Sequence, residues 1–174
     1  MDVFEPRFSM TGWIVSVGFA ALGLGVSLLA WLPLKLMPPS ERQSVPLLLP
    51  LIAIGISLAI LLGALFFVSI YPTMRYELKE EGLWLRCGPF TSRIPYSEIK
   101  EIAKTNLKYH PTSTGWKLPG YAIGNVYYAD RGYVRMCATS MCKNILLIKT
   151  DKSLYGVTPK DEERFVRSLK GKLE

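Results

Sequence analysis

The sequence predicts a two-helix transmembrane hairpin that carries a small, basic, mostly β domain ending in an α-helix. Residues 8–34 and 43–74 contain no charged side chain, whereas the whole net charge of +7 lies beyond Met74. From residue 75 the hydrophobic period becomes two, which is typical of strands, and after Thr158 it becomes helical. We therefore expect a membrane region at 1–74 and a folded domain at 75–174.

The first apolar run is long enough to cross a bilayer. A hydrocarbon core of about 30 Å requires about 20 helical residues at about 1.5 Å each, and residues 12–34 meet that length. Trp13 and Trp31 lie near its two ends, where indole rings prefer the headgroup boundary. We predict a retained transmembrane helix at about 12–34.

The second apolar run predicts another span at about 45–71. Phe66, Phe67 and Tyr71 lie near its far end at interface depth, and Arg75 follows. The short connection at 35–44 contains two consecutive prolines, so the spans form an antiparallel hairpin. Small residues recur four apart in both spans: Ala21 and Gly25, then Gly55, Ala59 and Gly63. This spacing allows close helix packing in lipid, although small residues are also common in membrane helices generally.

The charges beside the membrane favour cytoplasmic termini, because two spans place both termini on one side. The basic residues near the membrane on that side are Arg7, Arg75, Lys79 and Arg86. The connecting loop has only Lys35 and Arg42. Since basic residues are retained on the cytoplasmic side, we expect a multi-pass protein of the cell membrane with both termini in the cytoplasm.

Short alternating segments predict the β domain. The predicted strands are 76–79, 83–87, 92–96, 99–105, 125–128, 133–138, 144–149 and 153–157. A long loop rich in turn residues is predicted at 107–120. Several short strands at this spacing indicate a small barrel or sandwich.

The C-terminal segment predicts an amphipathic helix. Thr158 is the expected N-cap, Pro159 suits the first helical position, and the acids beginning at Asp161 face the positive end of the helix dipole. Its apolar stripe comprises Phe165, Val166, Leu169 and Leu173. We expect this helix to cover an open end or one face of the sheet structure.

The order of these segments resembles the bacterial and archaeal pleckstrin-homology-like (PH-like) domains. The resemblance rests on 76–86 with 94–102, on 118–125 with 137–139, and on 146–150 with 157–166, and it covers roughly 75–172. It implies a bent, twisted antiparallel β-barrel. The complete fold class is then a two-helix transmembrane hairpin plus a small antiparallel β-barrel (PH-like) capped by a C-terminal α-helix. The resemblance implies no enzymatic activity and no defined ligand site.

Catalytic and cofactor-binding patterns are absent from the sequence. His110 is the only histidine, and no cluster of ligands surrounds it in sequence. Neither G-x-S-x-G nor a phosphate-binding G-x-x-x-x-G-K-[ST] occurs. Cys137 and Cys142 are expected to face each other across a strand turn, either as core or free thiols or as a pair that an oxidant could join. We expect no enzyme, no metal and no cofactor.

Basic and aromatic residues of the β domain provide a candidate ligand surface. The selected residues are Lys104, Lys108, Trp116, Lys117, Tyr121, Arg131 and Arg135. A tethered basic surface is attracted to an anionic leaflet by about 1 kcal/mol per nearby Lys or Arg. The alternative is a solvated exterior whose charge reflects topology alone.

Two classes of function follow from these features. The first is a membrane-anchored, non-enzymatic binding module whose ligand is a protein partner, another copy of the chain or an anionic lipid headgroup. The second is an accessory subunit of a larger membrane transporter or enzyme complex. Nucleic acid is disfavoured as a partner because the domain is already held at a membrane.

Overall fold

Strand pairing joins the N-terminal segment of the chain to its C-terminal domain. The computed structural model describes residues 2–36, 38, 48–110, 115–118 and 120–173. The chain forms two compact units, one made of Met1–Trp13 with Ile70–Glu174 and the other of Ile14–Ser69. Strand β1 (Asp2–Phe4) pairs with β2 (Arg75–Lys79), so the expected boundary at residue 74 leaves out one strand of the β domain.

The helical unit contains most of helices α1 (Met10–Leu36) and α2 (Leu48–Thr73). By length and composition, one stretch among the described residues, Met10–Leu29, can cross a membrane, while Leu51–Phe66 is apolar but shorter. The two-span prediction is therefore not confirmed, and part of it, residues 45–47, lies outside the described residues together with Arg42 in the loop.

The contact between these two helices does not use the predicted series of small residues. A Cβ atom added at Gly23 would lie 3.1 Å from Ile60 Cγ2. At Gly25, Gly55 and Gly63, no atom of the described chain lies within 4 Å of that position. Close approach within the chain therefore occurs at Gly23, and the other three glycines are open.

The β domain is a sandwich of two sheets. Its strands after β2 are β3 (Gly82–Cys87), β4 (Phe90–Ile94), β5 (Ile99–Thr105), β6 (Trp116–Leu118), β7 (Tyr121–Tyr128), β8 (Gly132–Ala138), β9 (Ile145–Thr150) and β10 (Leu154–Val157). The four-stranded sheet has the order β1-β2-β3-β4, and the six-stranded sheet has the order β5-β9-β10-β8-β7-β6.

The expected closed barrel is not found among the described strands, and one strand pair departs from the expected antiparallel arrangement. No hydrogen-bonded ladder joins the two sheets in the part of the chain that the structure describes, so no closed barrel is found. One pair, β8 with β10, is parallel, because β10 folds back along β9 and then lies beside the earlier strand β8. Closure into a barrel requires the last strand of a sheet to pair with the first. Here β4 is an edge of the four-stranded sheet and β6 is an edge of the six-stranded sheet.

The predicted loop at 107–120 contains a strand. Residues Trp116–Leu118 form β6, which pairs with the start of β7, and β7 begins at Tyr121 rather than at the predicted residue 125. Gly120 lies between them with φ +89°, a backbone conformation that suits a tight hairpin turn. The turn residues that predicted a loop therefore connect two strands. Residues 111–114 and 119 lie outside the described residues.

The C-terminal helix α3 (Glu162–Lys170) begins later than expected. Asp161 is its N-cap, since the carboxylate Oδ1 accepts a hydrogen bond from the Arg164 N–H at 3.1 Å. The predicted cap, Thr158, is instead buried, and its hydroxyl accepts the Thr139 N–H at 2.8 Å. Thr158 thus links β8 to the segment before the helix.

The segment before α1 is held tightly to this part of the domain. The Arg7 N–H donates to the Thr158 carbonyl at 2.7 Å, and the Lys160 N–H donates to the Glu5 carbonyl at 2.9 Å. Phe4 meets Phe165 of α3 edge to face, with ring centroids 5.2 Å apart. The N-terminal residues are therefore a structural part of the sandwich.

Candidate functional site

The predicted ligand surface does not form one patch. Lys104 lies on β5, where its ammonium pairs with the Glu162 carboxylate of α3 at 2.9 Å. Lys108 and Arg131 are exposed near the β7–β8 turn, where the Lys108 N–H donates to Asp130 Oδ1 at 2.9 Å. These positions belong to different parts of the domain.

Tyr121 lies at the other end of β7 and is buried, with 2% of its surface exposed. It packs against the first turn of α1, because a Cβ atom at Gly12 would lie 2.7 Å from the Tyr121 ring. The opposite end of β7 is roughly 23 Å away at about 3.3 Å per residue. Tyr121 therefore adds nothing to an exposed surface. Trp116 and Lys117 lie on β6, and their side chains are outside the described part.

Arg135, the remaining predicted residue, lies in a cleft between the two sheets. The cleft has a volume of about 480 Å³ and separates β3 and β4 from β7, β8 and β10. Its lining includes Phe90 and Ser92 on one side and Asn125, Arg135 and Tyr155 on the other. We call this space the inter-sheet cleft.

Strand alternation shows that the inter-sheet cleft is an uncovered part of the sandwich interior. Phe90 is the cross-strand partner of buried Cys87, so both lie on the inner face of the four-stranded sheet. Arg135 is two residues from Cys137, whose thiol contacts the Arg86 carbonyl of the opposite sheet at 3.4 Å. Yet Phe90 is 51% exposed, and Arg135 is also exposed. Positions that face the interior are here open to solvent.

The wall formed by β7 has an unusual open position at Gly124. Its φ is +84°, and no described atom lies within 4 Å of the place that a Cβ would occupy. A glycine inside a strand often marks a place where another backbone approaches closely. Asn125, the cross-strand partner of Arg135, lies next to it and is exposed. Gly124 belongs to the lining of the cleft, so this wall presents main chain without a side chain at that position.

The inter-sheet cleft carries positive charge. Arg135 is the one charged residue in its described lining. Its guanidinium lies 5.8 Å from the centre of the Tyr155 ring, and Nη1 is 3.5 Å from the Tyr155 hydroxyl oxygen. No carboxylate among the described residues forms an ion pair with Arg135. The cleft thus offers a cation above an apolar wall.

A second groove runs between β5 and α3. Its volume is about 530 Å³, and its lining includes Ile102, Leu146 and Val166. The charges at its rim are partly neutralised within the chain, because Glu162 pairs with both Lys104 and Arg7, at 2.9 and 3.3 Å. Glu163, Arg167 and Lys170 also line the groove and form no ion pair with a described residue, so this groove carries charges of both signs, whereas the inter-sheet cleft carries a single cation.

Two of the three thiols lie where they are protected from reaction. Cys87 and Cys137 are buried and form no disulfide, whereas Cys142 is partly exposed. The expected approach of Cys137 to Cys142 is wrong. Cys137 is on the inner face beside Cys87, whereas Cys142 packs against the cluster on the other face of the six-stranded sheet. Burial raises the pKa of the Cys137 thiol well above its usual value, and the neighbouring Cys87 raises it further.

Tyr76 connects the two sheets beside these thiols. Its hydroxyl donates to the Cys137 carbonyl at 2.7 Å and accepts the Thr158 N–H at 3.3 Å. Burial raises the pKa of Tyr76 well above its usual value, and Cys137 adds to the shift. Both groups therefore stay protonated and neutral near pH 7, which suits a structural role in the interior.

The described residues contain no group of three His, Cys, Asp or Glu side chains that could hold a metal ion. His110 packs edge to face against Tyr127, with ring centroids 5.3 Å apart. The structure thus gives this histidine an aromatic contact near the β7–β8 turn.

Sequence patterns missed most of the cleft. Phe90, Gly124 and Asn125 were not selected, because each belongs to a different local segment from Arg135. A weak signal was present: Phe90 follows the Gly88-Pro89 turn as a large apolar residue at the start of a strand. Only the cross-strand register shows that it shares a face with the buried core.

Comparison with known proteins identifies one related group. The sequence model described as a bacterial PH domain matches residues 74–173. This match confirms the resemblance that the order of strands and the final helix indicated. Neither a curated protein nor a solved structure gives a significant match to the chain.

Proposed function

Because the chain belongs to the bacterial PH domain family, we propose that it is a non-enzymatic binding module that a helical hairpin anchors in the cell membrane. PH-like domains are generally binding modules without catalytic activity. The proposed role is to present the sandwich, with its inter-sheet cleft, at the membrane surface. The ligand classes under this proposal are a protein partner, a second copy of the chain, or anionic lipid headgroups.

The observation that constrains the membrane topology is the pairing of β1 with β2. Val3 lies opposite Glu77, so the residues before α1 and those after α2 belong to one sheet. A single crossing by residues 14–69 would place these two strands on opposite sides of the bilayer and forbid their pairing. The segment must therefore cross an even number of times or not at all.

The surface of the helices favours two crossings over none. Large apolar side chains on both helices are exposed, such as Leu29 at 73% and Leu62 at 58%. Contiguous apolar surface of this kind indicates contact with lipid or protein rather than water. The basic residues flanking the spans favour termini in the cytoplasm, since Arg7 and Arg75 adjoin the membrane on the domain side.

Labelling of single cysteines tests the topology. In a Cys142→Ser background, we would place one cysteine at Val3, Lys170 or Ser40 and treat intact bacterial cells with a membrane-impermeant maleimide. We expect labelling of Ser40→Cys from outside, and of Val3→Cys and Lys170→Cys only after permeabilisation. The protein should stay in the membrane pellet after a urea wash.

The other possible results of labelling and of the urea wash would each refute or revise the proposed topology. If Val3→Cys and Lys170→Cys react from opposite sides, the paired-strand argument is refuted. External labelling of both, with Ser40→Cys protected, would reverse the orientation and keep the hairpin. Release of the protein by urea would refute the anchor.

An anionic-lipid ligand has less support than a protein ligand. The exposed cations Lys108 and Arg131 lie near the β7–β8 turn, whereas Arg135 lies in the cleft, so they do not converge on one headgroup. Flotation with vesicles containing phosphatidylglycerol tests it. If Lys108→Ala with Lys117→Ala leaves binding unchanged, those lysines do not bind lipid.

The second candidate, an accessory subunit, is favoured by the open glycines of α2. Gly55 and Gly63 have no described atom within 4 Å of a Cβ position, so their face is available to a helix of another protein. Gly55→Leu with Gly63→Leu should abolish co-purification of a stoichiometric partner. Gly18→Leu, at an equally open position outside the series, is the matched control.

A further inference from the structure

We propose that the inter-sheet cleft binds an extended acidic peptide of a partner protein, which adds as a strand to the free edge of β4. This proposal deepens the proposed function by naming the ligand of the binding module, and it rests on that function. It does not depend on how the helices cross the membrane.

The free edge of β4 provides the main-chain contacts. β4 is the last strand of its sheet, and it pairs with β3 along all of Phe90–Ile94. On its other side, no backbone hydrogen bond to a described residue occurs. An edge strand of five residues spans about 17 Å and accommodates a peptide of similar length.

The side chains at this edge suit an extended peptide, whose side chains would point alternately toward the cleft and away from it. Phe90 lies on the inner face and is 51% exposed, so it can pack against an apolar side chain of the added strand. The next inward residue, Ser92, also lines the cleft. Gly124 also lines the opposite wall and has no side chain that could fill the space of the cleft.

The positive charge of the inter-sheet cleft favours an acidic peptide. Arg135 faces the cleft and has no carboxylate partner among the described residues, and no acidic residue is part of the described lining. A carboxylate from the peptide would complete a charge-assisted hydrogen bond that the chain itself does not supply. A lipid headgroup is disfavoured, since a single cation in a cleft walled by two sheets gives little of the multiple charge pairing that anionic headgroups use.

Selection from a peptide library tests the proposal. Full-length protein in nanodiscs of phosphatidylcholine would be presented to a phage-displayed library of random linear nonapeptides. We expect enrichment of sequences rich in Asp and Glu that alternate with apolar residues. Synthetic peptides from the enriched set should bind Arg135→Gln about ten-fold or more weakly, because a hydrogen bond to a charged group is lost.

Arg131→Gln is the matched control, because it removes the same charge from an exposed position at the β7–β8 turn. Its affinity for the selected peptides should equal that of the wild type. Both variants should unfold at the wild-type temperature, since Arg135 and Arg131 are exposed. Hydrogen exchange should slow at the β4 amides when peptide binds, and remain unchanged at β5, an edge strand of the six-stranded sheet.

Three results would overturn the proposal. The first is that the wild-type protein enriches no acidic sequence from the library relative to the Arg135→Gln variant. The second is protection of β5 rather than β4, which would place the peptide in the groove beside α3. The third is binding of phosphatidylglycerol vesicles that depends on Arg135 without any peptide enrichment. None of these would alter the cysteine labelling pattern, so the anchor is tested separately.

Discussion

The two edges of the four-stranded sheet have similar residues and different surroundings. Phe4 on β1 and Phe90 on β4 both lie on the inner face, at opposite edges of the same sheet. Phe4 is 5% exposed, because Phe165 of α3 covers it, whereas Phe90 is 51% exposed. We call these the covered edge and the open edge.

The difference shows how one sandwich combines stability with binding. At the covered edge, Phe165 of the terminal helix buries Phe4, and main-chain hydrogen bonds hold Glu5 and Arg7 to Lys160 and Thr158. At the open edge, the apolar residue and the strand edge stay available. The proposed binding module needs both, since the proposed peptide would add to a rigid frame.

The largest expected effect is at the covered edge. Phe165 is fully buried and contacts the rings of both Phe4 and Tyr76. Phe165→Ala should lower the free energy of unfolding by about 3–5 kcal/mol, because it leaves a cavity between helix and sheet. Urea unfolding of the full chain in detergent measures it. Leu173→Ala, at an exposed position beyond α3, should have little effect, and equal losses would contradict the comparison.

A matched pair of substitutions compares the edges directly. Phe4→Ala should cost about 3 kcal/mol, near the lower limit for a buried Phe because a short terminal strand can relax. Phe90→Ala should cost less than about 1 kcal/mol, since half of that side chain is already in water. The same urea titration gives both values. If Phe90→Ala proves as costly as Phe4→Ala, the open edge is covered in solution.

The third prediction concerns alkaline pH and the interior between the edges. The pKa values of Cys137 and Tyr76 are raised in the folded chain, so the folded state keeps protons that the unfolded chain releases. The full stability should be present below about pH 8.5, the pKa of an unfolded thiol. Above that pH the free energy of unfolding should fall by about 1.4 kcal/mol per pH unit because of Cys137, and a second loss of the same slope, due to Tyr76, should begin near about pH 10.

Urea midpoints at pH 7.5 and 10.5 measure this loss. Cys137→Ala should remove the part of the loss that begins nearest pH 8.5, while the part due to Tyr76 should remain. A stability that does not change between these two pH values would show that neither group is as buried as the structure indicates.

Local patterns predicted most elements of the β domain. Alternation located β2 and β3, and the apolar stripe with Phe165 and Leu169 located α3. The same patterns missed β1, because three residues before a long apolar run carry no strand signal by themselves. They also assigned the helix cap to Thr158, since a Thr-Pro pair is a common start, whereas the tertiary structure uses that hydroxyl to hold Thr139.

The candidate site was predicted only in part. Arg135 was selected for its charge, and the structure places it in the cleft. Tyr121 was selected with it, yet it is buried against the turn of Gly12. Aromatic and basic residues near each other in sequence alternate between faces of a strand, so their proximity in the chain does not place them on one surface.

The sequence by itself determined the charge-free apolar runs, the change of hydrophobic period at residue 75 and the amphipathic final helix. These are properties of neighbouring residues, so composition and spacing are enough to identify them. Only the tertiary structure decided that β1 joins the domain, that the described strands form two sheets without a closed barrel, and that Phe4 is covered while Phe90 is open. Those outcomes depend on the register and packing of segments far apart in the chain, which no local pattern specifies.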